Sequence, residues 1–219
     1  MEGDKLIIQD HHVRAARAVR EILEDEELSW DSLSVFTIAG ESGSGKSEIA
    51  SVLKDLFEER NVLTLILQQD DYFHYPPKTN ARMREKNIGR VGTSEVRLDL
   101  LDENIRTVRG GAHALRKPLV IFEEDRIEEE VADLNGVQAI IVEGTYTTLL
   151  KEADVRIFID RTNEDTRKAR ELRAREEQDP FLEKILLIEH EIISSHKRKA
   201  HIVIDRDYGA AKRREWQHD

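Results

Sequence analysis

The chain has no cysteine and fewer basic than acidic side chains, and both features exclude classes of protein. Without cysteine there is no disulfide framework, no thiol nucleophile and no cysteine metal site. The 34 lysines and arginines are outnumbered by 45 aspartates and glutamates, which gives a net charge of −11. Because nucleic acids and anionic membranes are bound by basic surfaces, we expect neither as a general partner.

Long apolar runs are also missing from the 219 residues. None approaches the ~18–20 residues that a membrane-spanning helix requires, and the first residues do not form an apolar signal segment. Neither an internal repeat nor a low-complexity linker divides the chain. We therefore expect a cytoplasmic protein with a single domain over residues 1–219, and whether it forms a homo-oligomer stays open.

A glycine-rich loop follows the apolar segment at residues 35–39 and matches the pattern Gly-x-x-x-x-Gly-Lys-Ser. In this pattern glycines let successive backbone N–H groups curl around a polyphosphate. We expect Lys46 to act on the β- and γ-phosphates of ATP as a catalytic cation, and Ser47 to offer its hydroxyl to Mg²⁺. The residues predicted to bind the nucleotide are Gly40, Glu41, Ser42, Gly43, Ser44, Gly45, Lys46 and Ser47.

The apolar pattern predicts a doubly wound α/β fold with a mainly parallel sheet, the fold of P-loop nucleotide-binding proteins. Helical spacing is seen over 11–28, within an N-terminal helical extension at residues 1–30, and again over 46–60 after the loop. Short continuous apolar runs separated by helical patterns are typical of parallel strands that are buried on both faces. The predicted strands lie at residues 33–39, 62–67, 139–142, 155–159 and 202–204.

Three carboxylates directly follow predicted strands and should meet at the edge of the sheet where ligands bind. Asp70 and Asp71 follow the second strand, and Glu143 follows the third. One of the two aspartates could accept the proton of an attacking hydroxyl, and Glu143 could hold a metal ion through water. Alternatively, these residues only form turns, in which aspartate and Glu-Gly pairs are common.

Residues 72–131 are predicted to leave the sheet on the side of the acceptor substrate, with the least regular pattern over 72–97. This stretch carries a cluster of cations that could hold an anionic acceptor, or could pair with neighbouring glutamates on the surface. Its aromatic residues could line a pocket or pack in the core. The cations are Arg82, Arg84, Lys86, Arg90 and Arg97, and the residues predicted to contact the substrate are Asp71, Tyr72, Arg90 and Arg97.

An arginine-rich helical pattern follows Asp160. Arg167, Arg170 and Arg173 recur at intervals of three and share much of one helical face. Such a helix is often solvated surface, but after a phosphate-binding loop we expect it to bind the nucleotide as a lid over residues 161–180.

The ordered motifs from about residue 33 to residue 206 resemble the uridine kinase and phosphoribulokinase group of P-loop kinases. This resemblance implies that Asp70 is the base, that Ser47 and Glu143 serve Mg²⁺, and that arginines of the lid contact phosphate. Where the resemblance places the tyrosine and histidine that read the base in uridine kinases, this chain carries Val120 and Asp125, so the acceptor is left open.

Together these patterns predict an ATP- and Mg²⁺-dependent kinase that phosphorylates a hydroxyl of a small metabolite, such as a nucleoside, sugar or sugar phosphate. One alternative is a nucleotide-switched regulatory or binding protein with weak ATPase activity. Another is a kinase that acts on nucleic-acid ends or on a second protein, and the net charge weakens the case for nucleic acid.

Overall fold

A computed structural model describes residues 1–3, 6–26, 30, 32–173 and 179–213, except for the side chain of Arg173. Within them, a central sheet and a separate two-stranded hairpin contain the strands of the fold. The strands are β1 (Ser34–Gly40), β2 (Thr64–Gln68), β3 (Ala114–Ile121), β4 (Arg126–Asp133), β5 (Ala139–Glu143), β6 (Val155–Ile159), β7 (Ile202–Ile204) and β8 (Ala210–Lys212).

The central sheet has the strand order β2-β5-β1-β6-β7-β8, in which every pair is parallel except β7 with β8. All residues of β1 are buried, because side chains alternate between two apolar cores. Phe36 and Ile38 face one core, and Val35 and Ala39 face the other. This arrangement confirms the predicted doubly wound fold and each of the five predicted strands.

The helices are α1 (Asp10–Asp25), α2 (Lys46–Glu58), α3 (Pro77–Lys86), α4 (Leu98–Arg109), α5 (Asn163–Arg173) and α6 (Pro180–Ile193). The helices predicted over 11–28 and 46–60 are therefore confirmed as α1 and α2, although residues 27–29 lie outside the described part. The predicted lid includes residues 174–178, which also lie outside it. No helix in the described ranges is both long and apolar enough to cross a bilayer.

The segment at residues 72–131 is more regular than its sequence suggests, since it contains α3, α4 and the antiparallel β3–β4 hairpin. No strand was predicted in this hairpin. Pro118 interrupts the strand pattern of β3, and β4 is rich in glutamate with side chains mostly exposed or half-buried. The hairpin is held by pairing along its whole length, from Ala114 opposite Asp133 to Ile121 opposite Arg126, which no local pattern reveals.

His196 gives the fold a testable dependence on pH. Its side chain is buried, and Nδ1 lies 3.0 Å from the hydroxyl of Thr148. Burial, assisted by the charges of Lys199 and Arg198, lowers the pKa of His196 to about 4. The same ring titrates at about 6.5 in an unfolded chain. As the pH falls below about 6.5 the unfolded state therefore takes up the proton first, and the free energy of unfolding should decrease toward pH 4.

Urea unfolding at a series of pH values measures this effect. The His196→Gln variant should lose part of the decrease in stability between about pH 6.5 and pH 4. His113→Gln is the matched control, because His113 lies exposed on the surface. If the free energy of unfolding decreases by the same amount between about pH 6.5 and pH 4 in the wild type and in His196→Gln, the prediction is contradicted.

Candidate functional site

The glycine-rich loop joins the end of β1 to the start of α2, so its backbone amides lie at a helix N-terminus. Gly45 caps this helix in the left-handed conformation, with φ of 96°. A Cβ atom at Gly45 would lie 2.8 Å from Nε2 of His12 and 3.3 Å from the hydroxyl of Tyr208. Glycine is therefore required both by the turn and by the packing of α1 and the β7–β8 loop against it.

Lys46 makes a hydrogen bond within the phosphate loop, and Glu41 joins the loop to α6. The ammonium group of Lys46 donates to the carbonyl oxygen of Glu41 over 2.9 Å. The carboxylate of Glu41 is buried and lies 2.6 Å from Nδ1 of His190. The contact with His190 was not predicted, because 149 residues separate the two positions.

A candidate Mg²⁺ site is formed where the loop meets the ends of β2 and β5. The hydroxyl of Ser47 donates to Oε1 of Glu143 over 3.0 Å, and the amide of Gln68 donates to the same oxygen over 3.3 Å. Gln68 lies opposite Glu143 in the sheet, as does Ile38 of β1. Hydroxyl and carboxylate oxygens are hard ligands of the kind that Mg²⁺ prefers, so the donor set fits this ion.

Among the residues that the structure describes, no three acidic or histidine side chains are grouped so that they could hold a metal ion by themselves. This agrees with the chemistry of Mg²⁺, which usually binds one or two carboxylates together with waters and phosphate oxygens of a substrate. The hydrogen bond from Gln68 to Glu143 was not predicted. The position of Gln68 at the end of β2, two residues before Asp70, was the available signal.

The two neighbouring aspartates have different surroundings. Both lie in the short 3₁₀ helix Gln69–Tyr72 that follows β2. Asp70 is half-exposed and lines a cavity of about 550 Å³. Asp71 is 1% exposed and accepts a hydrogen bond from the backbone N–H of Val120 at 2.9 Å. These positions support Asp70, and not Asp71, as the group that meets a substrate.

Further contacts give Asp71 a structural role in place of the predicted substrate contact. Its carboxylate pairs with the amino group of Met1 at 3.0 Å and lies 3.5 Å from the ammonium of Lys117 in β3. The carboxylate thus ties the 3₁₀ helix to the hairpin and to the first residue. Val120, one of the positions compared with the base-reading residues of uridine kinases, is itself fully buried in β3.

Tyr72, Arg90 and Arg97 were also predicted to contact the substrate, but the structure does not bring them to the cavity beside Asp70, within the part of the chain it describes. Tyr72 is fully buried, and its hydroxyl accepts a hydrogen bond from Asn104 at 2.7 Å. Burial raises the pKa of Tyr72 far above its usual value, so the phenol stays protonated. The guanidinium of Arg90 lies over the ring of Tyr75, 5.5 Å from its centre.

The cavity lies between α3, the start of α6 and the tip of the hairpin. Arg84 of α3 is buried in its wall and binds Glu95 with two hydrogen bonds, of 2.8 and 2.9 Å. A third bond of 3.3 Å joins Arg84 to Glu189 of α6. Asn80 donates to the carboxylate of Glu95 over 3.0 Å. Neither Asn80 nor Glu189 was predicted at this site, since each pairs with a residue that is distant in the chain.

Asp125 caps the start of α3 and is not among the described residues that line the cavity. It sits in the hairpin turn with φ of 49° and accepts from the backbone N–H groups of Lys78 and Thr79 at 2.7 and 3.1 Å. Burial favours a higher pKa for this carboxyl, but the hydrogen bonds from Thr79 and Lys78, with the charge of Arg82, hold it below its ordinary value. Asp125 is therefore a structural residue that fixes α3 to the hairpin.

The arginines of α5 divide between the phosphate loop and α6. Arg170 is buried, with its guanidinium donating to the carbonyl of Asn163 at 2.8 Å and to Thr166 at 2.5 Å. Its stem reaches the loop, because a Cβ atom at Gly43 would lie 2.8 Å from its Cγ. Arg167 is exposed and pairs with Glu183 of α6 at 2.6 Å. The predicted role of the Arg173 side chain lies outside the described residues.

Arg161 was overlooked in the sequence, although it begins the same segment. Its guanidinium lies over the ring of Tyr208, 4.6 Å from the centre, and the hydroxyl of Tyr208 is 3.3 Å from the carbonyl oxygen of Ser44 in the loop. Arg161 is thus linked to the phosphate loop through Tyr208, and Arg170 meets the loop through its stem.

Comparison with known proteins agrees with this geometry. The sequence model of the Phosphoribulokinase / Uridine kinase family matches residues 35–178. The chain is 28% identical over 187 residues to a bifunctional alpha-galactosidase/sucrose kinase of Mediterraneibacter gnavus, covering 79% of this chain but 20% of that protein. It is 28% identical over 140 residues to a uridine kinase of Clostridium novyi, covering 62% of this chain and 64% of the relative.

Among solved structures, the chain is similar to one described as a possible uridine kinase from Bacillus stearothermophilus. The TM-score is 0.60 at 19% identity, over 85% of this chain and 96% of the other. At this identity the likeness shows a shared fold and not a shared substrate.

Proposed function

Because the chain belongs to the phosphoribulokinase/uridine kinase family, we propose that it is a Mg²⁺-dependent kinase that transfers the γ-phosphoryl group of ATP to a hydroxyl of a small metabolite. The observation that carries this proposal is the position of Asp70. It lines the cavity, and it follows the strand whose end lies opposite Glu143, next to the phosphate loop. A base between a donor site and an acceptor cavity is what direct phosphoryl transfer requires.

On the donor side, the backbone amides of residues 40–47 would bind the phosphates, and Lys46 would exchange its bond to Glu41 for phosphate oxygens. Ser47 and Glu143 would hold Mg²⁺, with Gln68 orienting the carboxylate. When bound, this ion neutralises charge on the phosphate oxygens.

On the acceptor side, Asp70 would accept the proton of the attacking hydroxyl as its oxygen bonds to the γ-phosphorus. The bond from that phosphorus to the bridging oxygen breaks, and ADP leaves with the electron pair. Arg170, whose stem lies against Gly43, is placed to bring a cation to the transferring group once the lid engages the nucleotide. In this proposal residues 161–180 act as the lid.

The alternative of a nucleotide-switched binding protein uses the same loop but needs no acceptor cavity beside an aspartate. The cavity of about 550 Å³ lies within the range of roughly 300–1,000 Å³ found for small-molecule sites, which supports a metabolite as acceptor. The names of the relatives, a uridine kinase and a bifunctional protein with sucrose kinase activity, indicate that nucleosides and sugars belong in the first screen.

Release of ADP tests the proposal directly. We expect at least one hydroxyl compound from a panel of nucleosides, free sugars, sugar phosphates, polyols and hydroxy acids to raise ADP release well above the rate with ATP alone. Chelation of Mg²⁺ by EDTA should abolish the increase, because the phosphate charge is then not neutralised. If every compound leaves the rate at the acceptor-free level, the kinase is contradicted and the nucleotide-switched protein is favoured.

A further inference from the structure

The inner wall of the acceptor cavity contains a cation that is already neutralised. Arg84 has its guanidinium bound to both oxygens of Glu95 and to Glu189, and all three residues are buried. Two carboxylates around one guanidinium leave this group with net negative charge. A phosphate or carboxylate on the acceptor would therefore meet no excess positive charge at Arg84.

Arg82 at the rim is paired in a similar way, with Asp125 at 3.2 Å. The ammonium of Lys78 donates to the carbonyl oxygen of Glu123 over 2.9 Å, which holds the side chain in place without neutralising its charge. An anionic acceptor would have to displace Asp125 from Arg82 and would also approach further carboxylates, which repel it. The carboxylates that line the cavity are Asp70, Glu85 and Asp179.

Asn80 provides a hydrogen-bond acceptor in this wall. It lines the cavity and is 6% exposed. Its amide nitrogen must face Glu95, because only the nitrogen can donate to the carboxylate at 3.0 Å. The carbonyl oxygen Oδ1 is then buried without a hydrogen-bond partner among the residues that the structure describes. A buried carbonyl oxygen of this kind is satisfied by the O–H or N–H of a ligand or of a water molecule, but not by an anion.

The rest of the wall is largely aromatic or aliphatic and offers flat apolar surface. Sugar rings expose C–H groups on their faces and hydroxyls at their edges, which suits a wall that combines rings with a few hydrogen-bonding groups. The apolar residues that line the cavity include Phe73, Tyr75, Phe122, Phe181, Leu182 and Ile185.

From these contacts we propose that the acceptor is an uncharged carbohydrate, and that one of its hydroxyls donates a hydrogen bond to Oδ1 of Asn80. This inference rests on the proposed kinase function and gives its substrate class. The hydroxyl that is phosphorylated donates to Asp70, and the wall disfavours acceptors that already carry phosphate or carboxylate. The structure thus favours the interpretation of Arg82 and Arg84 as paired cations over their use as an anion site.

A binding experiment that does not depend on turnover tests the substrate class. Isothermal titration calorimetry of the whole chain, with Mg²⁺ and a non-hydrolysable ATP analogue present, should detect binding of at least one neutral mono- or disaccharide. Sugar phosphates and hydroxy acids should bind at least about tenfold more weakly, because the wall repels anions. A preference for either of these classes, or for a nucleoside, would overturn the inference, as would no binding of any neutral carbohydrate.

Parallel measurement of ADP release keeps this result separate from the kinase itself. A carbohydrate that binds and raises ADP release supports both proposals. A carbohydrate that binds without raising it supports the assigned ligand class and contradicts the kinase. An acidic or phosphorylated compound that alone raises ADP release supports the kinase and overturns the carbohydrate.

The Asn80→Ala variant tests the predicted hydrogen bond with the carbohydrate identified in this way. Its kcat/KM for that sugar should fall by roughly 10–100-fold, mainly through a higher KM, while the KM for ATP stays unchanged. Arg116→Ala is the matched control, because Arg116 is exposed on the hairpin and pairs only with surface Glu129 among the contacts described. Melting temperatures of both variants show whether the fold is intact. A folded Asn80→Ala protein with unchanged KM for the sugar would contradict the role of Asn80.

Discussion

Replacing Asp70 by asparagine is expected to reduce kcat by about 10²–10⁴-fold, the usual contribution of a general base. Asparagine keeps the size of the side chain but cannot accept the proton of the attacking hydroxyl. The phosphate loop is untouched, so the affinity for ATP should remain close to that of the wild type. Single-turnover rates and nucleotide titrations on the same preparation measure the two effects. A wild-type kcat in Asp70→Asn would remove Asp70 from the reaction.

The neighbouring Asp71→Asn variant is the matched control, because the two aspartates differ in their surroundings. Asp71 is buried and contacts the backbone of Val120 and two ammonium groups, so its replacement should lower the free energy of unfolding by about 1–3 kcal/mol. The residual activity of the folded Asp71→Asn protein should far exceed that of Asp70→Asn. The opposite pattern, with Asp71 essential for turnover in a stable protein, would assign the base to Asp71.

Replacing Lys46 by alanine is expected to lower kcat/KM for ATP by roughly 10²–10³-fold, since the cation that binds the β- and γ-phosphates is lost. Both the affinity for ATP and the maximal rate should fall, unlike in Asp70→Asn. The variant also loses the bond from Lys46 to the carbonyl of Glu41, so the loop is less ordered before nucleotide binds.

Fluorescence titration with a nucleotide analogue and steady-state kinetics measure the two losses. Lys54→Ala is the matched control, because Lys54 lies on the same helix and pairs with Glu58 at the surface, 2.9 Å away. It should keep wild-type affinity and rate. Normal kinetics in Lys46→Ala would contradict the assignment of the phosphate loop.

Local sequence patterns were sufficient for the five parallel strands of the central sheet and for the glycine-rich loop, but not for the antiparallel strand β8. Continuous apolar runs are recognisable because parallel strands are buried on both faces. The loop at residues 40–47 has a fixed sequence pattern because glycine is required where backbone amides wrap around a phosphate. The carboxylates at the ends of β2 and β5 could also be placed, since parallel strands end at the same edge.

The acceptor side could not be predicted in the same way. Asp70 and Asp71 are adjacent residues of the same type, so the sequence does not distinguish them. Only the packing of the hairpin decides that Asp71 is enclosed while Asp70 lines the cavity. Arg84 looked available for an anionic substrate until the fold placed Glu95 and Glu189 around it. Periodicity reports which face of an element is buried, but not which side chain from a distant element lies opposite.

By itself the sequence therefore determined a parallel α/β sheet, a phosphate loop and the carboxylates at its edge, because each is specified by residues close together in the chain. Only the tertiary structure decided which charges are neutralised and which polar atoms remain for a substrate. Asn80 and Arg84 owe their properties to contacts with residues 11 to 105 positions away. The chemistry of the acceptor cavity is set by these long-range pairings, which come into existence only when the chain is folded.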